Sequence, residues 1–360
     1  VNKVKDTNHP VVVHIHTIKG KGFEEAEANK EAFHWVMPFD LENKESNKIE
    51  FPEGYTDILG KFLVEKAKED KKIVAITAAT PGPAGLNYFR QEESLKEQYV
   101  DVGIAEEHAI ALASGIASQG GKPVVSILSS FVQRTYDQLS QDLAINNNPA
   151  LIMVSWAGIT GGDVTHLGIF DIPLISNIPN IVYLAPTNKE EYLAMIEWGI
   201  EQKDHPVAIR VPNGNVITTG VSVEPNFGDL NVYEKTIQGN EVAIIGLGSF
   251  HDLGRKVQKK LKVDTGINAT LINPRFITGI DKEMLTDLLE SHKLVITLED
   301  GVLDGGFGEK ISRFYGDKDM KVLNFGATKE FTDRVSMEEL YERYHLTEEL
   351  IVEDIKKALK

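Results

Sequence analysis

One stretch limits what this chain can fold into more than any other: Tyr99-Val-Asp-Val-Gly-Ile-Ala-Glu-Glu-His108. A short apolar, strand-like start runs into Gly103. A helical pattern rich in Ala and Ile then extends from Ala105 to Gln119 and stops at Gly120-Gly121 before Pro123. A second strand-like run, Val124-Val-Ser-Ile-Leu128, follows at once. Strand, turn, helix and strand make a βαβ unit, whose strands lie parallel and whose ligands sit at the strands' carboxyl ends. Glu106 lies at that end, just inside the helix start. Its negative charge suits a helix N-terminus, so a structural role and a ligand contact both explain it from these residues alone.

The same alternation recurs along the chain. Asp57 to Ala67 has helical spacing at Ile58, Leu59, Phe62, Leu63 and Ala67, and Lys72-Ile-Val-Ala-Ile-Thr77 reads as a buried strand. The irregular loop Ala78-Ala-Thr-Pro-Gly-Pro-Ala-Gly85 follows it. Further strands read at 151–155, 181–186 and 206–212, with a helix from Asn188 to Glu201. Beyond a Gly-, Pro- and Thr-bearing linker at 216–230, strands read at 242–246, 268–272 and 294–298, with helices near 251–261 and 281–289. Ser336-Met-Glu-Glu339 has the spacing of a capping box for a late helix. The expected architecture is α/β: two doubly wound parallel-sheet domains, at 55–215 and 231–360, preceded by a segment at 1–54 that ends in a polar linker. In that segment Val11-Val-Val-His-Ile-His16 is strand-like but has no partner run nearby. It is expected to complete a sheet supplied by residues outside this sequence.

Composition narrows the function. The formal net charge of −16 argues against nucleic-acid binding, which needs basic patches. No apolar run approaches the ~18 residues of a membrane span, and the opening Val1-Asn-Lys-Val-Lys-Asp does not read as a secretory leader. The chain has no cysteine, so thiol chemistry and disulfides are out; a cytoplasmic location is the expectation.

Asp101-Val-Gly-Ile-Ala-Glu-Glu-His108 resembles the pyrimidine-binding motif of transketolase-like thiamine-diphosphate enzymes, and within them the 1-deoxy-D-xylulose-5-phosphate synthase family. Other segments resemble the same family in the same order. They are Lys19-Gly-Lys-Gly-Phe23, Phe33-His-Trp-Val-Met-Pro-Phe-Asp40, Ser129 to Gln138, the glycine-rich Ala157 to Asp171, Ile272-Asn-Pro-Arg-Phe276 and Asp304-Gly-Gly-Phe-Gly308. The resemblance implies a pyrimidine-binding domain at 55–215, a transketolase C-terminal-like domain at 231–360, and, before them, the last strand of a diphosphate-binding domain. It implies that Glu106 contacts the aminopyrimidine of thiamine diphosphate and promotes removal of the thiazolium proton. Phe23, Phe131 and Ile104 would touch the cofactor; His34, Arg134, Asp163 and His166 would face substrate, with His34 and His166 counted as catalytic beside Glu106. Taken without the resemblance, His34 reads as a turn histidine, Phe131 as core packing and Asp163 as a turn former.

The resemblance further implies pyruvate as donor, an aldehyde as acceptor (glyceraldehyde 3-phosphate in the family), and a homodimer. Mg2+ would accompany the cofactor, but the Gly-Asp-Gly and Asn of its usual motif are absent, so its ligands are expected in residues outside this sequence and no metal ligand is named here. A transketolase, a 2-oxoacid dehydrogenase β-subunit and a non-catalytic half-enzyme share the two-domain pattern and remain alternatives. Two departures stand out. The segment from Asp163 to His166 is one residue shorter than in the family. Leu128, Trp156 and Asn213 stand where the family carries a Tyr and two Arg for the acceptor phosphate, which leaves Arg134 or Arg210 as substitute donors.

Overall fold

The structure, a computed structural model, describes residues 1–34, 36 and 52–360. It divides into two units, Val1–Pro52 and Glu53–Lys360. In the first, a short helix at Glu24–Ala28 follows Phe23, and the Gly22 N–H donates to the Glu27 carboxylate at 3.0 Å. Val11–His16, expected as a strand, is exposed and irregular instead. A strand is defined by its ladder, and among the described residues none pairs with this run. Most of the expected linker, 41–51, and the Pro38-Phe39-Asp40 end of the lead-in lie outside the described residues.

The second unit holds two sheets. The first consists of β1 (Ile73–Thr77), β2 (Tyr99–Asp101), β3 (Lys122–Leu128), β4 (Leu151–Ala157), β5 (Val182–Leu184) and β6 (Val207–Pro212). Its order is β2-β1-β3-β4-β6-β5 with every pair parallel. All the carboxyl ends therefore point to one edge. The chain moves from β1 outward to β2, then back across β1 to β3 by the helix Glu106–Ser118. The second sheet consists of β7 (Glu234–Ile237), β8 (Glu241–Gly246), β9 (Thr270–Asn273), β10 (His292–Val302) and β11 (Lys321–Ala327), in the order β11-β10-β8-β9-β7. It is parallel except that β7 runs antiparallel to β9. The sequence reading has no β7 because Glu234-Lys-Thr-Ile237 is mostly exposed and shows no apolar alternation. The 206–212 strand, expected to close the first sheet, lies inside it, with β5 at the edge.

Successive strand residues face opposite layers, and the apolar clusters follow. Ala75, Leu151, Met153, Val207 and Ile209 pack against the helices Tyr55–Glu69 and Lys189–Glu201. Ile76, Val125, Ile152, Val154 and Ala208 pack against Ala109, Ile110 and Ala113 of the helix after Glu106. This cluster continues into Ala243, Ile245, Ile272 and Val295 of the second sheet, so one core serves both. The far face of the second sheet packs on the helices Phe250–Thr265 and Glu348–Ala358. No helix among the described residues is long and apolar enough to cross a membrane.

Polar contacts tie the two sheets. Arg210 on β6, 4% exposed, donates through Nε to Asp171 at 2.7 Å and also pairs with Asp300 of β10. The Tyr183 hydroxyl donates to the same Asp171. Burial pulls the Arg210 guanidinium down, but Asp171 and Asp300 outweigh it and hold it above the ordinary arginine value. Burial pushes Asp300 up, against the pull of Arg210. Buried Glu191 likewise accepts from Asn273 at 3.0 Å and Arg275 at 2.9 Å. Removing one partner of a buried ion pair strands the other. Arg210→Met, which leaves Asp171 and Asp300 facing each other without a cation, is expected to cost about 3–5 kcal/mol of stability. Urea unfolding measures it; a loss under ~1 kcal/mol would mean that the pair is solvated.

A second buried carboxylate titrates in a measurable range. Glu299 is fully buried and accepts the Phe307 and Gly308 N–H groups, each at 2.8 Å, at the start of the helix Phe307–Tyr315. Burial pushes it up from 4.5 to about 7, against those two N–H bonds. The folded protein therefore keeps a proton that the unfolded chain loses between 4.5 and about 7. Stability of the wild type relative to Glu299→Gln should fall as pH rises through that window and level off above it. Thermal melts of both proteins on either side of the window test this; parallel pH profiles would contradict it.

Candidate active site

The site is built at the common carboxyl edge of the first sheet. Asp101, the last residue of β2, accepts the Ala79 N–H at 2.8 Å and the Gly103 N–H at 3.0 Å. One carboxylate thus ties the loop after β1 to the turn after β2. Gly103 has φ +73°, a left-handed turn that sends the chain directly into the helix. Glu106 is the first residue of that helix and is 3% exposed. Its carboxylate accepts from Arg134 Nη1 at 3.2 Å, the Arg134 side chain being half exposed. Ile104, by contrast, is 77% exposed on the turn itself.

Arg134 and Phe131 come from the turns that follow β3, at Ser129–Val132 and Gln133–Thr135. Phe131 meets the ring of His166 edge-on, with centroids 5.4 Å apart. His166 ends the short turn Val164–His166, and its Nδ1 lies 3.2 Å from Asp163 Oδ1. The Thr165 hydroxyl, the His166 ring and the Thr165 N–H hold the Asp163 carboxyl at about 2. Glu106, Arg134, Phe131, His166 and Asp163 are thus brought together as one connected set. Despite the one-residue shortening between them, Asp163 and His166 are in contact.

Phe23 and His34 belong to residues 1–52. There Phe23 packs edge-on against Phe33, with centroids 5.5 Å apart, and His34 is paired with Lys19.

Two further polar atoms lie at the same edge. Thr77 Oγ1 at the end of β1 and Ser129 Oγ just past β3 are buried with no hydrogen-bond partner. Buried hydroxyls are normally satisfied, and these two, flanking the switch from β1 to β3, suit a polar ring such as an aminopyrimidine. Ser129 is marked in the sequence by its position at a strand end, and Thr77 also by the resemblance of Thr77-Ala-Ala79 to the family's pyrimidine-lining segment. Arg210 is a correction: bound between Asp171 and Asp300, it is not free to serve as a phosphate donor. Leu128 is buried at the end of β3, Trp156 sits near the end of β4 with φ +54°, and Asn213 is exposed just past β6. No group of three or more His, Asp or Glu that would hold a metal occurs among the described residues.

Comparison with known proteins follows this geometry. Residues 54–218 match the family described as "Transketolase, pyrimidine binding domain", and residues 233–351 match "Transketolase, C-terminal domain". The 1-deoxy-D-xylulose-5-phosphate synthase of Alkaliphilus oremlandii is 38% identical over 99% of this chain, which covers 57% of that protein. That of Halothermothrix orenii is 39% identical over 97% of this chain, covering 55% of the relative. The chain thus spans little more than half the length of these relatives. Among solved structures, a split-gene transketolase described as an inactive β4 tetramer aligns with TM-score 0.72 and 23% identity, over 86% of this chain and 99% of that one. A Pichia stipitis transketolase aligns with TM-score 0.68 and 16% identity, over 86% of this chain and 46% of the other. With its two sheets matched to two consecutive domains and its sequence matched from end to end, this chain belongs to the transketolase family, of which it carries the pyrimidine-binding and C-terminal domains.

Proposed function

We propose that this chain forms part of a transferase that decarboxylates pyruvate on thiamine diphosphate and passes the two-carbon unit to an aldehyde. The specific reaction would be 1-deoxy-D-xylulose 5-phosphate synthesis from pyruvate and glyceraldehyde 3-phosphate. One observation carries this reading: a buried glutamate, Glu106, at a helix start on the carboxyl edge of a parallel sheet, linked through Arg134 and Phe131 to the Asp163–His166 pair. When bound, thiamine diphosphate supplies the electron sink for decarboxylation. Glu106 would hold a proton at the pyrimidine ring, Phe131 and Ile104 would pack on the cofactor, and Arg134, Asp163 and His166 would orient substrate. For residues 1–52 the proposal assigns Phe23 a cofactor contact and His34 a substrate contact. Mg2+ would be held by residues outside this sequence.

Glu106→Gln tests the assignment. The variant should keep its fold by circular dichroism and lose pyruvate-dependent CO2 release by at least about a hundredfold. The measurement belongs on full-length protein, and near-normal turnover would remove Glu106 from the chemistry. Running it with glyceraldehyde 3-phosphate and with an uncharged aldehyde also identifies the acceptor. With Leu128, Trp156 and Asn213 at three strand ends, the expected outcome is a high KM for glyceraldehyde 3-phosphate or a preference for the uncharged aldehyde.

The same reading includes a homodimer. The helix Glu106–Ser118 turns His108, Ala111, Leu112, Gly115 and Ile116 toward an open depression that also takes in Val74. A second copy is the occupant that suits a site needing two halves. A Cβ at Gly115 meets nothing within 4 Å, so a larger side chain there leaves the monomer intact. Sedimentation should give a dimer for the wild type and a monomer for Gly115→Arg; a monomeric, active wild type would contradict the assembly.

A further inference from the structure

The glycine-rich segment between β4 and the helix Asp171–Ser176 is covalently part of the first sheet's domain, yet it is packed on the second. Its two legs, Ile159 and Ile169, are 6% and 4% exposed and join the apolar cluster on the far face of the second sheet, with Val335 beside them. Its base is closed by the Gly158 N–H donating to Gly168 O at 2.7 Å, and Val302 of β10 donates to Ile169 O at 2.9 Å. Its tip is met by one loop of the second domain, Phe331–Val335. The Arg334 N–H donates to Gly162 O at 2.9 Å, and Asp333 Oδ1 accepts the Val164 N–H at 3.3 Å. Gly161 lies so close that an added Cβ would stand 2.7 Å from Val335 O. The Phe331 and Phe170 rings meet edge-on at 5.9 Å.

A loop with this many glycines has high backbone entropy and needs restraint from outside to hold one geometry. The turn Val164–His166 also opens with two N–H groups that have no partner inside it. Asp163 takes one, from Thr165 at 3.0 Å, and Asp333 takes the other. We propose that Phe331–Val335 is the positioning element for the Asp163–His166 turn, with Asp333 as the positioning residue. The second sheet domain then sets how the substrate-facing pair is presented to Phe131 and Glu106. The consequence for turnover rests on the functional reading above; the restraint on the turn does not.

Hydrogen exchange of the 159–168 segment and pyruvate kinetics are compared for wild type, Asp333→Ala, Asp333→Asn and Gly161→Ala, all as full-length protein. Asp333→Ala should speed exchange in that segment about tenfold and lower kcat/KM for pyruvate about tenfold, with the melting midpoint and cofactor affinity unchanged. Asp333→Asn keeps a carbonyl oxygen for the Val164 N–H and should restore both. Gly161→Ala presses on Val335 O and should move the same readouts. Unchanged exchange in Asp333→Ala and Gly161→Ala overturns the proposal, and so does faster exchange with unaltered kinetics. A wild type that turns over no pyruvate at all overturns the functional reading instead, and the exchange comparison alone then decides the restraint.

Discussion

The Arg210 ion cluster is the contact on which the rest of the second unit depends. A guanidinium, two carboxyl groups and a phenol are taken out of water together: Arg210 from β6, Asp171 from the helix after the glycine-rich segment, Asp300 from β10 and Tyr183 from β5. Desolvating such groups is favourable only when their geometry is good and their remaining hydrogen bonds are made. The cluster therefore tolerates one arrangement of the two sheets. It also reaches the candidate site. Arg210 Nη2 lies 3.4 Å from Gly168 O, and the Asp300 carboxylate stands 2.4 Å from where a Gly158 Cβ would be. Both ends of the glycine-rich segment are thereby set by a buried charge array rather than by their own sequence.

Buried carboxylates in this unit serve different ends according to what faces them. Asp171 and Asp300 face a guanidinium and lock sheets together. Glu299 accepts two backbone N–H groups and pairs with no cation at hydrogen-bond distance among the described residues, so burial dominates and its proton is retained to about 7. Glu106 faces Arg134, a residue half in solvent, at the edge where Thr77 and Ser129 carry buried hydroxyls without hydrogen-bond partners. A carboxylate whose cation is half exposed can exchange that partner for a ligand. These carboxylates thus differ in what faces them, not in depth of burial.

Much of this was legible in the sequence, for local reasons. The strand, the Gly103 turn and the helix from Glu106 are written in adjacent residues, and so is the grouping of Phe131 with Arg134 three positions on. Most strands with apolar runs were found; β11, whose run is broken by Asn324 and Gly326, and β7, polar and paired only at one edge, were not. Val11–His16 has strand-like composition without a described partner, and composition cannot supply a ladder. Arg210 shows why side-chain roles resist such reading. In sequence it is a lone cation in a buried strand, equally suited to a phosphate, and only the fold brings Asp171 and Asp300 to it. The restraint on the Asp163–His166 turn is less legible still, because Val164 and Asp333 are 169 positions apart.

These distances in sequence suggest a division of labour. The first sheet supplies Glu106, Arg134 and Phe131 from turns that follow its own strands, where a parallel sheet puts reactive groups in any case. Asp163 and His166 also follow a strand, β4, but their segment is too rich in glycine to hold itself. Its legs are buried in the second domain and its tip is hydrogen-bonded there. A second sheet domain that contributes no candidate site side chain of its own is then required for the geometry of the site. Two rigid sheets, fixed to each other by Arg210, hold between them the one segment that could not be rigid alone.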